Sequence, residues 1–153
     1  MKKLTVLFTC LVFFGLGLKA QNDTTKVDPF LTNVTIEVNN INDPLLFASS
    51  VDISIKAAVG SEKYATQILY GTLDIGEERI LQMDVLNKKV TKSTIFNSKV
   101  SFLFNSRSSD DFIGLFNFIF DFSDGSTYNY KFGKLTIGND MKLSSITRGI
   151  YVH

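Results

Sequence analysis

The chain predicts an all-β fold: a two-sheet antiparallel sandwich, with a closed β-barrel as the alternative. Two observations carry that expectation. Apolar residues alternate with polar ones at period 2 in about eight short segments, set apart by Gly-, Asn-, Asp- and Ser-containing turns. No stretch of 11 residues follows a helical period, and internal repeats and low-complexity tracts are lacking. A third observation fixes the centre of the fold, because Phe112 to Phe132 reads as one long β-hairpin.

Phe116, Phe118, Phe120 and Phe122 recur at period 2, as do Tyr128, Tyr130 and Phe132 beyond a Ser123-Asp124-Gly125-Ser126 turn. Parity selects the loop. A two-residue turn at Asp124-Gly125 would put the phenylalanines on the same face as Thr127, Asn129 and Lys131. A three-residue loop, Ser123-Asp124-Gly125 with Gly125 left-handed, instead pairs Phe122 with Ser126, Phe120 with Tyr128, Phe118 with Tyr130 and Phe116 with Phe132. Leu115, Asn117, Ile119 and Asp121 then face Gly133, Lys131, Asn129 and Thr127 on the wet side. Four buried phenylalanines contribute about 6–12 kcal/mol as an upper figure, comparable to a whole domain's net stability. A charge at Phe118 or Phe120 is therefore expected to unfold the domain, and one at Asn117 or Lys131 to be tolerated.

The remaining chain divides into a cleaved signal peptide (1–20), a flexible leader (21–30) and a single sandwich domain (31–153). Lys2 and Lys3 precede the uncharged run Leu4 to Leu18, and Leu18-Lys19-Ala20 places a small residue before Gln21. That run is shorter than the ~20 residues of a membrane span, so export with cleavage is expected rather than a retained anchor. The Lys19-Ala20-Gln21 junction resembles the export signals of Bacteroidetes-type bacteria, which implies a bacterial protein. Only six residues, Leu4 to Thr9, separate Cys10 from the basic start, too few for a lipoprotein signal. Asp23-Thr24-Thr25 resembles short glycosylated acidic-Thr sites, and Asn22-Asp23-Thr24 and Asn33-Val34-Thr35 match the N-linked tripeptide.

Processing at Ala20 removes Lys2, Lys3 and Lys19, leaving 13 basic against 15 acidic residues and a net charge of −2. That balance excludes nucleic acid as a partner and gives no attraction to an anionic membrane surface. Without Cys10 the mature chain has no cysteine, so disulfides, thiolate metal sites and cysteine nucleophiles are excluded.

Val34, Ile36 and Val38 mark the first strand, which Asn39 to Pro44 is expected to end. Val51, Ile53, Ile55, Ala57 and Val59 mark the second. After Gly60-Ser61, Lys63 to Leu73 returns as its hairpin partner with Tyr64, Thr66, Ile68 and Tyr70 on one side. A turn around Gly76 leads into a strand from Ile80 to Leu86 with Leu81, Met83 and Val85 alternating against Gln82 and Asp84, and Asn87-Lys88-Lys89 is a solvated loop tip. Lys92 to Ser98 reads as either a short strand or irregular chain. Val100, Phe102 and Phe104 form a strand facing the central hairpin, followed by a polar loop from Asn105 to Asp111. Leu135 to Ile137 completes the hairpin, Gly138-Asn139-Asp140 turns, and Ile146 to Val152 offers a last strand broken by Gly149. The number and spacing of these strands are those of immunoglobulin-like sandwiches.

Catalytic chemistry has little to work with. The single histidine, His153, is the last residue, where chain ends are mobile, so neither a serine triad nor a histidine zinc site is expected. Asp110-Asp111 and Glu77-Glu78 are adjacent pairs in turns, and neighbours on an extended chain point opposite ways. Asp121, Ser123, Asp124 and Gly125 lack the alternating acidic positions of a calcium loop, and no glycine-rich phosphate loop joins a strand to a helix. No catalytic, metal or cofactor-binding residue is assigned, and no enzyme is expected.

Eleven of the 14 phenylalanines lie beyond residue 20, which points to a phenylalanine-built core rather than a ligand cavity. Most strands are too short for the ~9–11 residues of a transmembrane barrel. The sequence therefore predicts an exported, non-catalytic interaction module, periplasmic or extracellular, whose partner is another protein. A small β-barrel carrier of an apolar ligand is the alternative, and a structural subunit joined by strand addition is the third reading.

Overall fold

Each alternating segment buries one face, and the two faces so formed meet across a single core. A computed structural model describes residues 27–42, 45, 49–105, 112–137 and 144–150. The strands are β1 (Leu31–Asn42), β2 (Ser50–Ala57), β3 (Lys63–Tyr70), β4 (Glu78–Gln82), β5 (Asp84–Val85), β6 (Ser98–Asn105), β7 (Phe112–Phe122), β8 (Thr127–Ile137) and β9 (Ser144–Gly149), with one short helix, α1 (Lys92–Phe96). Sheet I has the order β4-β1-β7-β8 and sheet II the order β5-β3-β2-β6-β9, every pair antiparallel. The two sheets stay separate, so the fold is the sandwich and the closed barrel is overturned.

The central hairpin forms β7 and β8, at the middle and edge of sheet I. Phe120 pairs with Tyr128 and Phe118 with Tyr130. Gly125 has φ +78°, and the Phe122 amide donates to the Ser126 carbonyl at 2.9 Å, closing the three-residue loop. Two pairings differ from expectation: Phe116 lies opposite Gly133, not Phe132, and Leu115 opposite Lys134, not Gly133. The register shifts between Phe116 and Asn117, where Gly133 takes φ +86°. The extra residue inverts side-chain parity, so Phe132 and Leu135 both face the core although their spacing is odd.

Phe102 on β6 is the hub between the sheets. Its ring centroid lies 4.9 Å from Phe116, 6.1 Å from Phe118 and 4.7 Å from Phe132, all edge-on, and all four side chains are buried. β1, expected to stop at Asn39, continues to Asn42. Asn40 is fully buried there, and its side-chain Nδ2 donates to the Leu73 carbonyl at 2.7 Å. A polar residue can thus continue the buried face because a neighbouring loop supplies an acceptor.

Four further expectations are corrected. Tyr64 does not share a side with Thr66, Ile68 and Tyr70: a register shift next to Tyr64 buries Tyr64 and Ala65 together and flips the parity that follows, so that Leu69 faces inward while Ile68 and Tyr70 are exposed. β2 ends at Ala57, leaving Val59 in solvent. The segment from Ile80 to Leu86 is not one strand: β4 pairs with β1 in sheet I and β5 with β3 in sheet II. Buried Met83 makes the crossing, its amide donating to Val34 O at 2.9 Å. Lys92 to Ser98 contains the helical turn α1 instead of a strand or irregular chain. Thr91 caps it by accepting from the Thr94 amide, and Asp28 accepts from the Ser93 amide and hydroxyl.

Residues 1–26, including Cys10, the expected signal peptide and most of the leader, lie outside the described residues, as do Asp110-Asp111, Gly138-Asn139-Asp140 and His153. Of the leader, Pro29 O accepts from the Lys92 amide at 2.8 Å and Phe30 N donates to Ser123 Oγ at 3.0 Å. Among the described residues no helix is long and apolar enough to cross a membrane.

Candidate interaction face

The outward side chains of sheet I form cross-strand rows fixed by register. One row runs Ile80, Glu37, Asn117, Lys131 across β4, β1, β7 and β8; the next runs Glu78, Asn39, Leu115, Lys134. Between them lies a groove of about 270 Å³, floored by Phe116 and Gly133 and flanked by Glu37, Glu78, Leu115 and Lys131. The bulge makes the groove. Gly133 has no side chain, and a Cβ built there would meet nothing within 4 Å.

Charges in this groove are largely unspent. The side chains of Glu78 and Lys131 on its walls, and of Lys134 next to it, make no hydrogen bond or ion pair among the described residues, where the single ion pair is Arg79 with Glu77 at 3.0 Å. Glu37 Oε2 accepts from Asn117 Nδ2 at 2.7 Å, while the buried Asn117 Oδ1 has no partner. The acidic groups sit on the β4 and β1 side and the lysines on β8, so the face carries a charge polarity across the strands.

The adjoining part of the same face is saturated. Gln82 Nε2 donates to Asn33 Oδ1 at 2.9 Å, Asn33 Nδ2 to Asp121 Oδ2 at 3.0 Å, and Thr127 Oγ1 to Asp121 Oδ1 at 3.0 Å. This chain of bonds crosses all four strands and ties up the Asn33 amide of the Asn33-Val34-Thr35 tripeptide. It fixes sheet geometry instead of offering free groups.

The residues weighed from sequence fall elsewhere. Glu77 and Glu78 diverge: Glu77 accepts from the Asp74 amide at 2.9 Å and pairs with Arg79, which hold its carboxyl below its usual range, while Glu78 points outward. Asp124 accepts from the Ser126 amide at 2.9 Å and hydroxyl at 2.6 Å, and these bonds lower its pKa. Asp28 is lowered chiefly by the Ser93 hydroxyl. Each shift comes from a structural turn or cap. Lys88 and Lys89 are exposed at a loop tip. Among the described residues no group of three or more His, Cys, Asp or Glu is placed to hold a metal.

The polar rows of this face were legible as alternation, but the groove was not, because it joins four strands distant in sequence and depends on the bulge. The odd spacing of Phe132 and Leu135 around Gly133 is the signal that could have found it. No protein-family model matches the chain, and neither the curated proteins nor the solved structures contain a significant match.

Proposed function

We propose that this is an exported, non-catalytic module that binds another protein through the outer face of sheet I. The observation that carries the reading is the groove around Gly133, where an apolar floor is ringed by Glu78 and Lys131, charges without partners among the described residues. Unpaired charges around partly apolar surface suit a polar protein interface. The carrier alternative is weakened by the space between the sheets, which Phe102, Phe116, Phe118 and Phe132 fill ring against ring. Export rests on the basic-then-apolar pattern of residues 1–20.

Chemical cross-linking in the source cells followed by mass spectrometry tests the reading. Cross-links from Lys131 and Lys134 to another polypeptide, lost in a Gly133→Asp variant that remains folded, are expected. Cross-links confined to Lys88 and Lys89 would move the interface elsewhere, and a fatty acid co-purifying at equal stoichiometry would favour the carrier.

A further inference from the structure

The charge polarity of sheet I is self-complementary. A two-fold axis parallel to the strands, between β1 and β7, lays the face of one copy on another with the strand order reversed, so that β8 covers β4. Positions along the strands are kept, and row meets row. Lys134 of one copy then lies over Glu78 of the other, and Lys131 lies over Ile80, one strand from Glu37. Both contacts occur twice, as an isologous interface requires. Leu115, 42 % exposed on β7, lies beside the axis and gives the contact an apolar centre, while Ile80, 68 % exposed on the edge strand β4, packs under the Lys131 stem of the other copy.

We infer that the protein partner of this face is a second copy of the same chain, packed sheet I to sheet I; the inference rests on the interaction reading above. Sheets stack about 10 Å apart, a gap that lysine and glutamate side chains span. Four strands about 4.8 Å apart over about eight residues of about 3.3 Å rise give a footprint of roughly 500 Å² per copy. That is below the ~800 Å² of a standard stable interface, so the dimer is weak and forms at high concentration. The same-sign ends of the face repel in any arrangement that places β8 over β8, which selects this orientation.

Charge exchange tests the inference by sedimentation velocity across a concentration series. Wild type is expected to dimerise reversibly, and more weakly as salt rises from about 50 mM to about 500 mM. Glu78→Lys alone and Lys134→Glu alone place like charges opposite one another, and each is expected to weaken dimerisation tenfold or more with unchanged melting temperature. An equimolar mixture of the two variants restores opposite charges at both contacts and is expected to form the heterodimer. A wild type that stays monomeric throughout, or variants that dimerise as wild type does, overturns the inference. If the wild type is monomeric yet Glu78→Lys abolishes cross-links to a different polypeptide, self-association fails while the interaction reading survives; if those cross-links also persist, both fail.

Discussion

Replacing Phe102 by alanine should cost more than any other single truncation in the domain. The side chain is 1 % exposed and touches Phe116, Phe118 and Phe132, so it joins both sheets at once. Burial of about 200 Å² at about 25 cal/mol per Å² gives about 5 kcal/mol, reduced to about 3–4.5 kcal/mol because the unfolded chain already shields part of that area. The cavity left behind keeps the loss within the ~3–5 kcal/mol usual for buried aromatic-to-alanine changes. Urea denaturation followed by far-ultraviolet circular dichroism should show the midpoint falling by about 2 M at an unchanged slope of about 2 kcal/mol per M. Phe102→Leu keeps most of the volume and should lose about half as much. A loss below about 1.5 kcal/mol for Phe102→Ala, at unchanged slope, would refute the claim that this ring is the hub.

Three further outcomes are expected. Gly114→Ala would set a Cβ 2.9 Å from Phe112 Cζ and 3.0 Å from Phe116 Cε2, costing about 1–3 kcal/mol by overpacking, whereas Gly133→Ala meets open space and should cost only the ~1–2 kcal/mol of a left-handed backbone; urea midpoints compare them. Asn117→Asp, tolerable by sequence alone, removes the donor to Glu37 and adds a second carboxylate. It should destabilise by about 1–3 kcal/mol at neutral pH, with the deficit shrinking on acidification as the raised carboxyl pKa is crossed, measured by melting at several pH values. Asp124 has a folded pKa below its ordinary 3.8, so its contribution is complete above that value and disappears as pH falls through the folded one. Thermal melts of Asp124→Asn should accordingly show a smaller loss of stability below pH 4 than wild type.

Alternation made the faces of β1, β2, β6 and β7 readable, because a half-buried strand must place its apolar residues at every second position. Aromatic pairing also fixed the hairpin loop, where only the left-handed Gly125 geometry brings Phe120 to Tyr128. What failed was parity across an irregularity. Residues around Tyr64 and Phe132 each include one extra position, and a count that runs through them assigns the following side chains to the wrong sheet face. Met83 misled differently: one alternating run served two sheets, since an inward residue at the crossing suits both. The turn α1 is five residues long, too short for a helical period, and is held by Thr91 and Asp28. The candidate site was invisible for a related reason, as Glu37, Glu78, Leu115 and Lys131 become neighbours only through register.

Native mass spectrometry of the protein recovered from its source cells tests the central claim, that function resides on the outer face of sheet I and not in the space between the sheets. The account predicts a polypeptide without small-molecule cargo, in a protein complex that is lost when Glu78 is changed to lysine. An apolar ligand that leaves only on denaturation, with assembly state indifferent to Glu78, would contradict it.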